Sequence, residues 1–260
     1  MKMSALPKNL INKIFNEDCL EGMKRILDGG VDMILCDLPY GTTQNKWDSV
    51  IPFKDLWDAY ERVIKDDGAI VLTAAQPFTS LLIASNIELF RYEWIWEKNT
   101  ATGFMNANKM PLRAHENVLV FYKTMPVYNP QFTEGQPYTK KRTGKKETGE
   151  NYGKVGISAH TDIKNEGRRF PRSVVQFKRE ERAVHPTQKP VSLFEYLIKT
   201  YSNEGDVVLD NCIGSGTTAL AAFNTGRNFI GFEKDAKYAG LSNERFMENK
   251  AKSEGIKHVS

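Results

Sequence analysis

The sequence predicts an α/β fold with a mostly parallel, twisted sheet and helices on both of its faces. Short β-branched runs bounded by Gly or Asp, such as VDMILC (31–36) and AIVLT (69–73), are typical of buried parallel strands. The stretch between them, 53–64, has apolar residues at helical spacing, and Asp66-Asp67-Gly68 is expected to end this helix. Strand and helix signals that alternate in this way predict strand–helix–strand units, and therefore a parallel sheet.

The same alternation continues on both sides of a central segment that breaks it. Further strands are expected at 91–97 and 117–122. After the central segment come a helix at 190–201, a strand at 207–210, a helix at 217–224, a strand at 228–233 and a helix near 236–250. Residues 1–125 and 183–260 are therefore expected to form one domain, and residues 126–182 an insert of the kind that is usually functional.

The composition is that of an ordinary globular protein and argues against several classes. Of the 260 residues, 40% are hydrophobic and 26% are charged, which disfavours a disordered or low-complexity chain. No apolar run approaches the roughly 18 residues of a membrane span, and residues 1–14 lack the apolar stretch of a secretory signal. The cysteines (Cys19, Cys36, Cys212) are far apart, so we expect reduced thiols in a cytoplasm and no structural zinc.

The positive charge of the chain is concentrated in the insert. Residues 126–182 contain 13 Lys and Arg against 7 Asp and Glu, whereas the whole chain has a net charge of only +4. The stretch TKKRTGKKET (139–148) is expected to be a mobile, solvated loop. This asymmetry indicates a polyanionic partner.

The predicted strand, turn, helix and strand near the C-terminus form one complete unit. Gly214 and Gly216 fall in the turn, where the backbone must bend tightly and approach a ligand closely. Glu233 ends the second strand, where an acid can accept hydrogen bonds from ribose hydroxyls. The plainer interpretation is a helix-capping turn, and the loop alone does not choose between a dinucleotide and S-adenosylmethionine (SAM). Thr217 and Thr218 offer hydroxyls that also suit a ligand without phosphate.

A second constellation, Asp37-Leu38-Pro39-Tyr40, directly follows the predicted strand at 31–36. Because parallel strands present their carboxyl ends to one ligand crevice, Asp37 and Tyr40 are expected beside the glycine loop despite their distance in sequence. Without the glycine loop, the plainer interpretation of a turn-capping acid and a half-buried core aromatic would be preferred. The two loops together favour a catalytic site.

These motifs resemble those of the amino-methyltransferases of DNA, which modify adenine N6 or cytosine N4. In that family an acidic or polar residue precedes Pro-Pro and an aromatic; here the motif stands as DLPY, with Leu38 in place of the first Pro. DNCIGSGTT (210–218) is similar to the family's glycine loop, HPTQKP (185–190) to its cofactor-flanking motif, and NEDCLEGM (16–23) to the element carrying an acid near the SAM adenine. The catalytic loop precedes the glycine loop, as in the permuted β class.

The resemblance implies a Rossmann-like SAM-methyltransferase fold with the catalytic half first. Asp37 and the carbonyl of Leu38 would accept the hydrogens of the target amino group, and Tyr40, after Pro39, would stack on a base flipped out of the duplex. SAM is the implied cofactor, Lys189 is placed near its carboxylate, and no metal is expected. The residues implied to bind SAM are Asp18, Cys36, Lys189, Asp210, Asn211, Gly214, Ser215, Gly216, Thr217, Thr218 and Glu233.

The basic insert occupies the place of the target-recognition segment in β-class relatives. The resemblance therefore favours double-stranded DNA as the polyanion, although a charge run is more often only a solvated loop. Arg168, Arg169 and Arg172 are candidates for reading guanine edges. The residues expected to neutralise phosphates are Lys140, Lys141, Arg142, Lys145 and Lys146.

These observations lead to the hypothesis of a SAM-dependent methyltransferase that acts on adenine N6 in a short duplex DNA site. An initial Asp with a final Tyr favours adenine, and cytosine N4 is the first alternative. Methylation of RNA or of a protein amide, a catalytically silent DNA-binding module and a nicotinamide oxidoreductase are less favoured. The resemblance points to a cytoplasmic, prokaryotic or phage-encoded protein. A homodimer and a companion restriction endonuclease are partners that it leaves open.

Overall fold

A computed structural model describes residues 6–41, 48–141, 162–179 and 188–256. The chain divides into two compact units, a larger one of Met1–Asn129 with Ser173–Ser260 and a smaller one of Pro130–Arg172. Within the described ranges, no helix has both the length and the apolar character needed to cross a membrane.

Strands and helices alternate through most of the chain. In chain order the elements are β1 (Lys13–Asn16), α1 (Cys19–Met23), β2 (Val31–Asp37), α2 (Phe53–Val63), β3 (Ile64–Ala74), α3 (Phe78–Ser85), β4 (Phe90–Thr102), a 3-10 turn (Phe104–Asn106), β5 (Arg113–Phe121), β6 (Thr133–Glu134), β7 (Tyr138–Lys140), β8 (Ile163–Asn165), β9 (Arg168–Arg169), β10 (Val174–Phe177), α4 (Val191–Tyr201), β11 (Val207–Asp210), α5 (Thr217–Asn224), β12 (Asn228–Glu233) and α6 (Ala236–Ile256).

The larger unit is built on an eight-stranded sheet with the order β1-β12-β11-β2-β3-β5-β4-β10. Strand β5 runs antiparallel to both of its neighbours, and every other adjacent pair is parallel. The carboxyl ends of β2, β11 and β12 therefore lie at the same edge of the sheet as the amino end of β5. The expected α/β class with a mostly parallel sheet is confirmed.

Two hydrophobic layers cover the faces of this sheet. Along β2, Ile34 and Cys36 pack into a cluster with α1, α2 and α3, whereas Met33 and Leu35 pack into a second cluster with α4, α5 and α6. Successive side chains of a strand point to opposite faces, and both faces of this sheet are covered. All four positions are therefore buried, which is why the sequence of the strand is a continuous apolar run. Helices lie on both faces, as the sequence predicts.

The end of the second helix differs from the expectation. Helix α2 stops at Val63, and β3 begins at the next residue, so Asp66-Asp67-Gly68 lies in a strand instead of ending the helix. The reason is that Ile64 already pairs with Val31 of β2, while the next partners are Ala69 and Met33. The intervening polar residues absorb this register shift as an irregular bulge.

The smaller unit contains two short antiparallel ladders, β6 with β9 and β7 with β8. Arginine side chains lie over aromatic rings within it: the guanidinium carbon of Arg168 is 4.0 Å from the ring centre of Phe132, and that of Arg169 is 5.0 Å from Tyr138. Thr139 and Lys140 belong to β7 instead of the loop expected at 139–148. Residues 142–148 of that loop lie outside the described residues.

Helix α1 approaches the sheet closely at Gly22, which supplies a stability test. A Cβ atom at Gly22 would lie 2.3 Å from the Phe232 ring, whereas a Cβ at Gly240 in α6 would have nothing within 4 Å. We expect Gly22→Ala to lower the free energy of unfolding by about 1–3 kcal/mol through overpacking. The matched Gly240→Ala variant should gain up to about 1 kcal/mol, because Ala favours a helix. Denaturant unfolding would contradict this packing if both variants shifted stability alike.

Candidate active site

A single cavity of about 800 Å³ opens at the carboxyl edge of the large sheet. Its wall combines the loop after β2, the turn between β11 and α5, the end of β12 and the beginning of β5. Its volume lies in the upper part of the range that small-molecule sites occupy. Both sequence constellations, DLPY and the glycine loop, therefore contribute to one cavity.

Asp37 ends β2, and its carboxylate is held on both oxygens. Oδ1 accepts a hydrogen bond from the Tyr40 hydroxyl at 2.7 Å and a second one from the Thr73 hydroxyl. Oδ2 accepts from the Lys189 ammonium at 2.7 Å. Three donors from three different segments thus fix the plane of one carboxylate at the cavity wall.

Lys189 continues this contact into a chain of alternating charges. Its Nζ lies 3.2 Å from Oε2 of Glu116, and Lys98 Nζ lies 3.4 Å from the other oxygen of Glu116. Along this series of contacts, from Asp37 through Lys189 and Glu116 to Lys98, negative and positive side chains therefore alternate. Lys189 is 7% exposed and Lys98 is 8% exposed, so both ammonium groups have lost most of their hydration. The paired carboxylates compensate that loss.

The pKa values in this chain follow from burial and pairing. Burial alone would lower the pKa of Lys189, but the charges of Asp37 and Glu116 and the hydrogen bond to Asp37 raise it well above its usual value. Burial would likewise raise the pKa of Glu116, yet Lys189 and Lys98 outweigh it and lower that pKa. Lys189 and Glu116 are therefore both charged at neutral pH.

Tyr40 is fixed by its ring as well as by its hydroxyl. The ring stacks on Phe78 with centres 5.1 Å apart and planes inclined by 24°. Burial, followed by the nearby charge of Asp37, raises the pKa of Tyr40 well above its usual value, so the phenol stays protonated and donates to Asp37. Leu38 is 4% exposed, with its side chain packed in the core. The packed side chain holds the loop at the position where the family motif has proline.

The glycine loop binds the acid at the end of β12. Gly214 and Gly216 have φ values of 52° and 82°, which favour glycine. The Gly214 N–H donates to Oε2 of Glu233 at 2.9 Å, and the Asp235 N–H donates to Oε1 at 2.8 Å. The Glu233 carboxylate therefore lies against the glycine loop in a fixed orientation.

The residues of this cavity fit SAM. Glu233 and Asp18 supply acceptors for ribose hydroxyls and a base amino group, and both line the cavity. Asp18 also caps α1, because its Oδ1 accepts from the Leu20 N–H at 3.0 Å. A dinucleotide site uses an acid in the same place, so these acceptors do not by themselves distinguish the two cofactors.

Asp210 and Asn211 tie the glycine loop to the sheet and to α2. Asp210 is 3% exposed and accepts from the Cys212 N–H at 3.0 Å and from the Thr218 hydroxyl. The Tyr60 hydroxyl of α2 donates to Oδ1 of Asn211 at 2.5 Å. Asn211 therefore performs a structural task at the position where the family motif has proline.

Three of the residues expected to bind the cofactor do not line the cavity. Cys36 is fully buried within β2, and burial raises the pKa of its thiol to about 12. Thr218 is also fully buried, and its hydroxyl is used by Asp210. Gly216 packs against Ser242 of α6, where a Cβ would lie 3.0 Å away. These residues support the cavity wall from behind, and their direct contact with the cofactor stays a prediction.

The other residues expected at the site do come together. Lys189 lines the cavity, but its ammonium contacts catalytic-loop and β5 carboxylates, so the structure gives it partners that the sequence did not predict. The remaining predicted residues that line the cavity are Asp18, Asp37, Leu38, Pro39, Tyr40, Asp210, Asn211, Gly214, Ser215, Thr217 and Glu233.

Sequence reasoning missed Thr73, Glu116 and Lys98. Thr73 lies near the carboxyl end of β3 beside Asp37, a place that the rule for parallel strands could have indicated. Glu116 and Lys98 lie on antiparallel β5 and on β4, and only knowledge of their pairing brings them to the same edge. Phe78, which stacks on Tyr40, carries no chemical signal in the sequence.

The residues expected to contact DNA belong to the smaller unit. Lys140, Lys141, Arg168 and Arg172 are exposed there. The Arg169 guanidinium donates to Asn165 Oδ1 and to the Gln136 carbonyl and so holds the unit together, while its role in reading bases stays a prediction. Arg142, Lys145 and Lys146 lie outside the described residues.

Comparisons with known proteins agree with this fold and site. The profile of a DNA methylase family matches residues 31–244. The chain is 28% identical to the DNA adenine methyltransferase YhdJ of Escherichia coli (strain K12), over 91% of this chain and 83% of that protein. The crystal structure of an M1.HpyAVI–SAM complex has a TM-score of 0.60 and 25% identity, covering 90% of this chain and 98% of the other. The PvuII DNA methyltransferase, which is cytosine-N4-specific, has a TM-score of 0.66 and 18% identity, covering 90% and 85%.

The sheet and the cavity at its carboxyl edge define an α/β methyltransferase that uses SAM. The family profile spans residues 31–244 of 260, and the chain belongs to the family of N6/N4 DNA methylases. It is therefore a DNA methyltransferase. Relatives and structural neighbours include an adenine enzyme and a cytosine-N4 enzyme.

The buried carboxyl of Asp210 makes stability depend on pH. Burial raises its pKa to about 7, against about 3.9 for an Asp in an unfolded chain. Between these values the folded state binds a proton that the unfolded state does not, so this contribution to stability falls as pH rises from about 4 to about 7 and then levels off. The difference in unfolding free energy between wild type and Asp210→Asn should follow that curve, spanning a few kcal/mol. A difference that is constant with pH would contradict the buried, protonated carboxyl.

Proposed function

We propose that this chain transfers a methyl group from SAM to adenine N6 in a short duplex DNA sequence, after the target base is flipped out of the helix. The observation that carries the proposal is the Asp37 carboxylate, fixed at the cavity wall by Lys189, Thr73 and Tyr40. A carboxylate held in this way is an acceptor for an amino group whose charge develops during the reaction.

The target amino group needs such an acceptor because its lone pair is delocalised into the ring. Bound SAM supplies an electrophilic methyl group. Asp37 and the Leu38 carbonyl each accept a hydrogen bond from the amino group. These bonds favour a tetrahedral nitrogen and stabilise its developing positive charge. Lys189 orients the Asp37 carboxylate through its hydrogen bond to Oδ2, and the same ammonium also pairs with Glu116. The cysteines have no part in this scheme, since no covalent intermediate is required.

Tyr40 supplies the surface against which the flipped base stacks. Its ring is held by Phe78 on one side and by the hydroxyl bond to Asp37, so it offers a rigid aromatic surface next to the acceptor. Stacking of this kind offsets part of the few kcal/mol needed to remove a base from the duplex. The same residues therefore bind the base and orient its amino group.

Adenine is favoured over cytosine by the first residue of the catalytic loop. The motif begins with Asp37 and ends with Tyr40, a combination that resembles the adenine enzymes, whereas Ser at the first position is commoner for cytosine N4. The adenine methyltransferase YhdJ is similar over most of this chain. The likeness to the cytosine-N4-specific PvuII enzyme makes cytosine N4 the second candidate.

The proposal also assigns target recognition to the insert at 126–182 and catalysis to 1–125 and 183–260. The support is the excess of basic residues in the insert and the exposure of Lys140, Lys141, Arg168 and Arg172. Lysines and arginines of this kind bind phosphates without regard to sequence, and the affinity that they give falls as salt rises. Which side chains read bases is a separate matter from this electrostatic contribution.

The test is transfer of labelled methyl from SAM into unmethylated genomic DNA, followed by digestion to nucleosides. Wild type should place the label in N6-methyladenine. Asp37→Asn should lower the transfer rate by roughly a hundredfold to a thousandfold, because the neutral amide no longer offers a negative charge to the developing positive nitrogen, while SAM affinity in calorimetry is retained. The control Asp66→Asn changes an exposed carboxylate and should behave as wild type.

Each contrary outcome has a defined meaning. Label in N4-methylcytosine would support the proposed reaction but show that the target base is cytosine. Full activity of Asp37→Asn would contradict the role of the carboxylate. SAM binding without any label in DNA would contradict the proposed substrate.

A further inference from the structure

The hairpin that joins β4 to β5 exposes an unusual set of apolar side chains. Phe104 is 81% exposed and Met105 is 101% exposed; Met110 and Leu112, on the return side of the turn, are 55% and 37% exposed. We call residues 103–112 the hairpin tip. Large apolar side chains grouped on a surface generally mark a binding site.

The hairpin tip is a folded turn with its own backbone hydrogen bonds. The amides of Asn106 and Ala107 donate to Gly103 and Phe104 carbonyls at 2.9 and 3.1 Å, and the amides of Lys109 and Met110 both donate to the Asn106 carbonyl, at 2.9 and 3.0 Å. The side chains of Phe104 and Met105 are thus presented by an ordered support.

The base of the same hairpin belongs to the cavity wall. Thr102 and Lys98 at the end of β4, and Arg113, His115 and Glu116 at the start of β5, all line the cavity that contains Asp37. The apolar tip therefore projects from the rim of the site where the target base is to be received. The hairpin tip is therefore placed to contact the substrate that enters the cavity.

The charge around the tip suits a polyanion. From residue 99 to residue 115 the chain has two cations, Lys109 and Arg113, and no aspartate or glutamate, while Lys98 is buried and paired with Glu116. Four apolar side chains are also few compared with the roughly 20–30 residues a side of a stable protein interface. A basic loop with an apolar end matches the proteins that place Phe, Met or Leu between base pairs and hold the adjoining phosphates.

We propose that the hairpin tip inserts Phe104 and Met105 into duplex DNA next to the target base and fills the space that the flipped base leaves. This inference rests on the proposed function, since it requires a duplex substrate and a flipped base. The inserted side chains replace the stacking that the neighbouring base pairs lose, and Lys109 and Arg113 face the backbone charge. The hairpin tip thereby lowers the cost of flipping, without contacting the methyl group or Asp37.

The test uses the full chain carrying Phe104→Ala with Met105→Ala, and a duplex carrying the site found by sequencing DNA that wild type has methylated. On the paired duplex the variant should lose roughly tenfold or more in kcat/KM, because unstacking is no longer compensated. On a duplex with an abasic position opposite the target base, the variant should recover to near the wild-type value, since that base is flipped at little cost. SAM affinity should not change.

The matched control is Ile87→Ala with Met247→Ala, two apolar side chains that are 61% and 60% exposed and lie away from the cavity wall. This control should equal wild type on both duplexes. The proposal is overturned if the hairpin variant keeps the wild-type rate on paired DNA, or loses the same factor on both duplexes. It is also overturned if sedimentation shows that only the hairpin variant loses a dimer, because the tip would then be a subunit contact. Failure of wild type to methylate any DNA would instead remove the proposed function itself.

Discussion

The site depends on one ion pair, between the buried Lys189 ammonium and the half-buried Asp37 carboxylate. The two residues are 152 positions apart and come from the two halves of the permuted fold. Lys189 directly precedes α4, and its carbonyl accepts from Thr217 at the start of α5 at 3.4 Å, while Asp37 ends β2. Two helix starts and a strand end are therefore held at one point. Removing the Asp37 charge would leave the buried Lys189 ammonium with Glu116 alone, and removing the Lys189 ammonium would leave Asp37 with only the neutral Tyr40 and Thr73 hydroxyls as donors.

The same ion pair explains why the acidic residues at this edge have separate tasks. Lys189 and Lys98 outweigh burial and lower the pKa of Glu116, whereas Asp210 has no such cation among its described contacts and burial raises its pKa to about 7. Glu233 is held by the backbone amides of Gly214 and Asp235. One edge of one sheet thus offers the oriented Asp37 carboxylate, a fixed acid at the end of β12 and a buried carboxyl that supports the glycine loop from below.

Much of this arrangement follows from the sequence, because strand ends and glycine turns leave local signals. The strands at 207–210 and 228–233 and the helix at 217–224 were predicted with the bounds that the structure gives them. Strand β1 left no clear signal, since four residues with one buried side chain have no readable period. Glu116 could not be assigned, because its place depends on the antiparallel pairing of β5 with two strands, a non-local property. The convergence of Cys19 and Cys212 on Asn211, with each sulfur 3.5 Å from Nδ2, is equally invisible in their spacing.

The dependence of Asp37 on Lys189 is tested by the single-turnover rate of methyl transfer in Lys189→Met and Lys189→Arg, with SAM affinity determined in parallel. Because Lys189 orients Asp37, Lys189→Met should slow transfer at saturating SAM by roughly tenfold or more, retain SAM affinity, and be partly rescued in Lys189→Arg. The opposite pattern would contradict the account: a large loss of SAM affinity with a wild-type rate at saturation would mean that Lys189 binds the cofactor and that Asp37 does not depend on it.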